Sequence, residues 1–239
     1  MAGHLIIIPT YNERDNIEAL LALITRTDPA AHILIVDDNS PDRTYEIVEG
    51  LMQSVYPGQL FLLKRAGKMG LGTAYIAGFK WALPRDYDYV FEMDADFSHD
   101  PKYLPDFLAA IQTHDVVLGS RYVSGGGVKN WGVIRKFISR GGSLYARTIL
   151  GLSLRDLTGG FKCFRREVLE AIDLDGIRSN GYSFQIEMTY RAKCKGFRIV
   201  ETPIIFEDRT AGKSKMSRKI FLEAVLMVWK LRFDSTIGA

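Results

Sequence analysis

The chain has 239 residues, 47% of them hydrophobic and 25% charged, with a net charge of +3. That is ordinary globular composition, long enough for one large domain or two small ones, and the overall charge does not mark a nucleic-acid binder. Cys163 and Cys194 form no metal or redox motif, which fits a reducing, cytoplasmic setting.

The first apolar run, Leu5 to Ile8, stops at Pro9 and is too short for a secretory signal. Asn16, Ile17, Leu20, Leu21 and Ile24 then recur at helical spacing, with Asn12 and Asp15 as candidate caps. HILIV (32–36) predicts a second buried strand, closed by the turn formers of DDNSPD (37–42). Thr44 to Met52 reads as a helix and Leu60 to Leu63 as a third strand, after which glycine-rich AGKMGLGTAYIAGF (66–79) runs into a helix. Tyr87 to Met93 predicts a fourth strand, Leu104 to Ile111 a helix, and DVVLGSRY (115–122) a fifth strand. The strands are continuously apolar rather than alternating, and they take turns with helices. That pattern predicts an α/β fold with a Rossmann-like, mostly parallel sheet flanked by helices. Residues 1–210 are taken as one domain, and 211–239 as a basic loop and a C-terminal amphipathic helix.

In such a sheet, ligands bind beyond the carboxyl ends of the strands. Those ends carry Pro9, Tyr11 and Glu13; Asp37 and Asp38; Gly67 and Lys68; Asp94 and Asp96; and Ser120 and Arg121. Asp94 and Asp96 stand two apart after a strand, so they would converge on one point. Two oxygen donors there suit Mg²⁺ or Mn²⁺ shared with a substrate diphosphate. An EF-hand loop starting at Asp94 is excluded, because its sixth and twelfth positions would be His99 and Pro105. A glycosidase carboxylate pair, a phosphatase with an aspartyl nucleophile and a plain solvated strand end stay open for this pair of residues. Asp38 suits a ribose or base contact, while Asn39 to Asp42 suit a turn. GKMGLGTA lacks the Walker sequence, so its glycines indicate a turn before a helix, with Lys68 near any anion.

From Val116 to Arg155 there is no Asp or Glu, yet Arg121, Lys129, Arg135, Lys136, Arg140, Arg147 and Arg155 all fall there. Trp131, Ile134, Phe137, Ile138, Leu144 and Tyr145 are interleaved with them. This basic amphipathic segment reads as a surface for a membrane or a phospholipid headgroup. Nucleic acid is disfavoured as the ligand, since no recognition motif occurs. A second basic cluster, Arg209, Lys213, Lys215, Arg218 and Lys219, precedes an apolar stripe from Ile220 to Trp229. No run approaches the about 20 apolar residues that span a bilayer. The expected location is therefore cytoplasmic, peripheral on the cytoplasmic face of a membrane.

Taken together, PTYNE (9–13), VDDNSPD (36–42), GLGTAY (70–75), MDADFSHDP (93–101), GSRY (119–122), ISRGG (138–142), DLTGGFK (156–162) and the stretch from Asp208 and Arg209 to GKSK (212–215) carry a resemblance. They resemble the polyprenyl (dolichyl) phosphate mannose synthases, inverting GT-A glycosyltransferases of family 2, nearly end to end. The resemblance implies transfer of mannose from GDP-mannose to a polyprenyl phosphate. It implies that Pro9, Tyr11, Glu13, Val36 and Asp38 hold the nucleoside, and that Asp94, Ala95 and Asp96 meet ribose and diphosphate. Asp96 would be the main protein ligand of Mg²⁺ or Mn²⁺. The family's further metal-ligand position, a Gln in some members, is Ser98 here. Arg121, Arg135 and Ser139 would bind the acceptor phosphate, and Arg209 and Lys215 would close on the donor diphosphate. A membrane-anchoring partner subunit is a further implication, because some members depend on one. The rival readings are a UDP-glucose-dependent enzyme with the same lipid acceptor and a non-catalytic module that binds nucleotide and lipid.

Overall fold

A computed structural model describes residues 3–207, 218–234 and 237. The expected alternation is present as β1 (His4–Thr10), α1 (Arg14–Thr27), β2 (His32–Asp37), α2 (Thr44–Ser54), β3 (Leu60–Lys64), α3 (Leu71–Ala82), β4 (Tyr89–Glu92), α4 (Leu104–Ala110) and β5 (Val116–Ser120). The chain continues through β6 (Gly127–Lys129), α5 (Val133–Leu150), β7 (Lys162–Arg165), α6 (Arg166–Ala171), α7 (Tyr182–Cys194), β8 (Ile199–Pro203), β9 (Ile205–Glu207) and α8 (Arg218–Phe233). The expected domain boundary near residue 210 lies outside the described residues.

Seven strands form one sheet in the order β3-β2-β1-β4-β7-β5-β8, and β6 pairs with β9 in a small second sheet. Strands β3, β2, β1 and β4 run parallel, as do β5 and β8, while β7 is antiparallel to β4 and β5. The continuous apolar run of β1 follows from burial on both faces. Leu5 and Ile7 enter the core layer that holds Phe79, Phe164 and Phe184, and Ile6 and Ile8 enter the opposite layer with Ile17, Phe91 and Phe107. Ile17, Leu20, Leu21 and Ile24 are the buried stripe of α1, as their spacing predicts. The caps differ from expectation. Glu13 is the N-cap of α1 and makes no side-chain cap bond. Asn12 takes a positive φ of 61°, and its Oδ1 instead accepts the Asp42 N–H.

Helix α3 lies close on the sheet because Gly78 has no side chain: a Cβ there would stand 2.6 Å from Ile7 Cγ2. Alanine gains up to about 1 kcal/mol in helix propensity, but overpacking costs about 1–3 kcal/mol. Ile7 is wholly buried on an interior strand and has little room to yield. Gly78→Ala is therefore expected to lower stability by about 1–2 kcal/mol in urea unfolding. Gly50→Ala, on the exposed face of α2 with nothing within 4 Å, is expected to raise it by up to about 1 kcal/mol. Shifts of the same sign would reject this account.

Candidate active site

The carboxyl ends of the parallel strands and the amino end of antiparallel β7 meet along one rim of the sheet. At the β1–β2 part of this rim, two loops are stitched together. Asp37 is wholly buried and accepts from Thr10 Oγ1 (2.7 Å), Ser40 Oγ (2.6 Å) and the Ser40 N–H (2.9 Å). The Asn12 N–H donates to Ser40 Oγ (3.1 Å), Glu13 N–H to Thr44 Oγ1 (3.1 Å) and Arg14 N–H to Asp42 Oδ2 (3.0 Å). These bonds hold Tyr11 and Glu13 at the rim, with Lys68 Nζ 4.1 Å from the centre of the Tyr11 ring. Pro9 is half-buried, at the end of the same strand.

Asp38 is less open than a bare ribose acceptor would be. Arg65 Nε donates to its Oδ1 at 2.5 Å, and the Met69 N–H reaches Oδ2 at 3.3 Å. Arg65 also donates to Thr73 Oγ1 (2.9 Å) and to the Gly70 carbonyl (3.4 Å). Asp38 thus ties the glycine-rich turn to the rim. Val36 is different again: it is wholly buried, with its side chain in the core and its place in β2 between β1 and β3.

The acidic loop follows β4. Asp94 and Asp96 are half-buried on either side of buried Ala95, and Phe97 turns the chain with a φ of 61°. Tyr75 Oη donates to Asp94 Oδ1 (3.2 Å). His99 Nδ1 accepts the Asp94 N–H (3.0 Å), and burial lowers the His99 pKa, which favours the neutral ring. The Ser98 N–H donates to Asp96 Oδ1 (3.1 Å), while Ser98 Oγ is buried without a hydrogen-bond partner. Asp100 Oδ1 accepts the Lys102 N–H (3.0 Å) ahead of Pro101 and so caps the short turn that follows.

Glu92, one turn of the pleat earlier, is wholly buried opposite Lys162 of β7. Lys162 Nζ donates to the Gln185 carbonyl (2.7 Å), and no hydrogen bond reaches either Glu92 oxygen. Burial raises the Glu92 carboxyl to about 7 against the opposing pull of Lys162. Burial likewise lowers Lys162 to about 8 despite Glu92. Glu92 belongs to the wall behind the loop rather than to its open face.

Among the described residues, no group of three or more His, Cys, Asp or Glu side chains is arranged to hold a metal alone. Asp94, Asp96 and the unpartnered Ser98 hydroxyl fit a hard divalent cation whose other ligands come from substrate oxygens and water.

Beyond β7, the rim turns basic. Arg121 is buried, and it grips Asp156 through Nε (2.7 Å to Oδ2) and a terminal nitrogen (2.7 Å to Oδ1). That terminal nitrogen also donates to Thr158 Oγ1 (2.7 Å). Arg121, expected at the acceptor phosphate, is thus already paired within the protein. Its guanidinium lies 5.5 Å from the centre of the Trp131 ring, and the Arg135 guanidinium 4.1 Å from the same ring. Arg135 is partly exposed on α5, and Ser139, one turn on, accepts from Tyr122 Oη (2.7 Å). Arg209 and Lys215 lie outside the described residues. Sequence reasoning missed Tyr75, His99, Arg65, Lys162 and Asp156. Four of these stand inside quoted motifs, Lys162 being also the first residue of β7, and Arg65 directly follows β3 on the same rim.

On α5, Val133, Ile134, Phe137 and Leu144 are exposed beside Lys136 and Arg140. On α8, Val228 and Leu231 enter the core, whereas Leu226, Trp229 and Phe233 are exposed. No helix among the described residues is long and apolar enough to cross a membrane.

Residues 5–173 match the model of the glycosyl transferase family 2. An undecaprenyl-phosphate mannosyltransferase of Micrococcus luteus is 49% identical over 224 residues, 94% of this chain and 91% of the relative. A polyprenol monophosphomannose synthase of Mycolicibacterium smegmatis is 45% identical over 231 residues, 95% of this chain and 87% of the relative. Among solved structures, glucosyl-3-phosphoglycerate synthase of Mycobacterium tuberculosis superposes with a TM-score of 0.70 at 14% identity, covering 96% of this chain and 80% of that one. A mannosyltransferase of Pyrobaculum calidifontis, solved with GDP-Man and Mn²⁺, gives 0.63 at 16% identity, with 97% and 70% covered. Both structural likenesses show a shared GT-A fold.

Proposed function

Since the chain belongs to glycosyl transferase family 2, we propose that it transfers mannose from GDP-mannose to a polyprenyl phosphate with inversion, releasing GDP. The observation that carries this reading is the Asp94–Asp96 loop, braced from behind on a rim whose far side is basic. The likeness to an undecaprenyl-phosphate mannosyltransferase over 94% of the chain supports the acceptor class. Pro9, Tyr11, Glu13 and Asp38 take the nucleoside, with buried Val36 supporting the rim behind them, and Arg209 and Lys215 belong to the diphosphate side of the proposal. The exposed apolar side chains of α5, flanked by Lys136 and Arg140, support peripheral contact with the membrane that holds the lipid.

The attacking group is a phosphate oxygen. A phosphate monoester has a second pKa of about 6, so it is largely dianionic at neutral pH and needs no general base. A bond forms from that oxygen to the anomeric carbon while the bond to the departing diphosphate breaks in line. Asp96, with Asp94 and Ser98 beside it, would hold a Mg²⁺ or Mn²⁺ ion, which would supply charge neutralisation for the leaving group. Arg135 and Ser139 orient the attacking phosphate. Arg121, already neutralised by Asp156, fixes the loop and the Trp131 ring on which Arg135 rests.

The test offers the purified protein a polyprenyl phosphate with GDP-mannose or UDP-glucose, and Mg²⁺ or Mn²⁺, and identifies the lipid product. A mannosyl lipid is expected. A glucosyl lipid from UDP-glucose alone would reassign the donor, and nucleotide binding without any product would make the chain a non-catalytic module. Arg135→Ala is expected to raise the acceptor KM by about tenfold or more, the value of one charge-assisted hydrogen bond, with GDP affinity unchanged. Equal loss of both would reject the role.

A further inference from the structure

We propose that His99 is a positioning residue for the Asp94–Asp96 loop, acting through the Asp94 main chain. This rests on the reading above, in which that loop meets the donor's diphosphate and its cation.

The last backbone donor that the sheet satisfies is the Met93 N–H, just past β4, which meets the Ile7 carbonyl of β1 (3.1 Å), and the next, the Asp94 N–H, needs an acceptor from elsewhere. The Asp94 N–H finds His99 Nδ1 at 3.0 Å, five residues on, rather than a carbonyl. The same ring presents Nε2 3.9 Å from Asp94 Oδ2, so one imidazole faces both the main chain and the side chain of Asp94. His99 is only 2% exposed. It stacks on Phe161 (5.1 Å, 16°) and meets the edge of Phe206 (5.8 Å). Phe161 in turn stacks on Phe107 (4.4 Å), and its carbonyl accepts the Gly119 N–H, so the imidazole is anchored to β5 and the core. From the opposite side, Tyr75 stacks on Phe184 (5.9 Å) and donates to Asp94 Oδ1. Between the two braces, Phe97 is held in a left-handed conformation, which a non-glycine residue keeps only where its surroundings impose it.

A residue that merely filled this space would be replaceable by Phe, which keeps the stack on Phe161. Histidine adds an acceptor at Nδ1. That difference is measurable. Wild type, His99→Phe, His99→Asn and His99→Gln are titrated with Mn²⁺ in the presence of GDP, free Mn²⁺ being read by electron paramagnetic resonance. Metal-free GDP binding and thermal unfolding are followed alongside.

His99→Phe is expected to weaken Mn²⁺ binding by about tenfold, the usual cost of losing a supporting partner around a metal ligand. Asn, whose amide oxygen stands near the Nδ1 position, is expected to recover most of that loss. Gln, whose amide stands near Nε2, is not. Should His99→Phe fail to fold, Asn against Gln decides alone. Mn²⁺ binding by His99→Phe at the wild-type level overturns the proposal. So does an Asn variant no better than Gln. If the wild-type protein itself binds no Mn²⁺ with GDP, the functional reading falls and takes this inference with it.

Discussion

Asp96→Asn is expected to lower turnover by about 10²–10³-fold, the range seen when one electrostatic stabiliser is removed from an active site, with thermal stability unchanged. The geometry separates the two effects. Asp96 is half-exposed, and its Oδ1 accepts the Ser98 N–H. Asparagine keeps an oxygen there, so the turn through Phe97 survives. What it removes is the negative charge that the proposed cation needs. Steady-state rates with GDP-mannose and a polyprenyl phosphate, set beside a melting curve, read both quantities. Near-normal turnover in the variant, with divalent metal chelated, would sink the metal role of Asp96.

Asp156→Ala is expected to have the largest effect on stability, a loss of about 3–5 kcal/mol, because it strands a buried guanidinium without its partner. Arg121 loses both side-chain bonds to the carboxylate, and its own N–H loses an acceptor at 3.0 Å. Burial alone would raise the Asp156 carboxyl, but Arg121 outweighs it and holds the group below the ordinary carboxylate range. A depressed folded-state pKa means that this contribution is complete above the unfolded value. It is lost only as pH falls through the lower, folded value. Replacing both partners by apolar residues, as in Arg121→Met with Asp156→Leu, is expected to cost much less than the single change. Urea unfolding of the three proteins decides. A single-variant loss below about 1 kcal/mol, the size of an exposed pair, would show that Arg121 finds other compensation.

The first five strands were legible because they are continuously apolar, and periodicity reports burial directly. Strand β7 was not. Lys162 to Arg165 is four residues long, begins and ends with a cation and runs against its neighbours. Nothing in so short a stretch distinguishes an inserted antiparallel strand from a loop. The same insertion explains Glu92, whose charge has no visible reason until Lys162 arrives opposite it from β7. The candidate site divides in the same way. Asp94, Asp96, Arg135 and Ser139 could be named from motif and family resemblance. The residues that brace them, Tyr75, His99 and Asp156, carry no spacing signal, because their partners come from other elements of the fold. Arg121 shows the converse. The family resemblance marked it as an acceptor-phosphate ligand, yet Asp156, far along the chain, pairs with its charge.

The placement of β7 also bears on the order in which a growing chain can organise itself. The four strands β3, β2, β1 and β4 are complete once residue 92 has been made, and their loops already include the nucleoside side of the rim. Strand β5, by contrast, has only β7 and β8 as neighbours in the sheet, and Arg121 at its end waits for Asp156. Translation therefore delivers the two halves of the molecule at different times. During the interval the emerging polypeptide carries an unpaired edge on β4 and an unneutralised arginine beyond β5, the kind of exposed intermediate on which chaperones act.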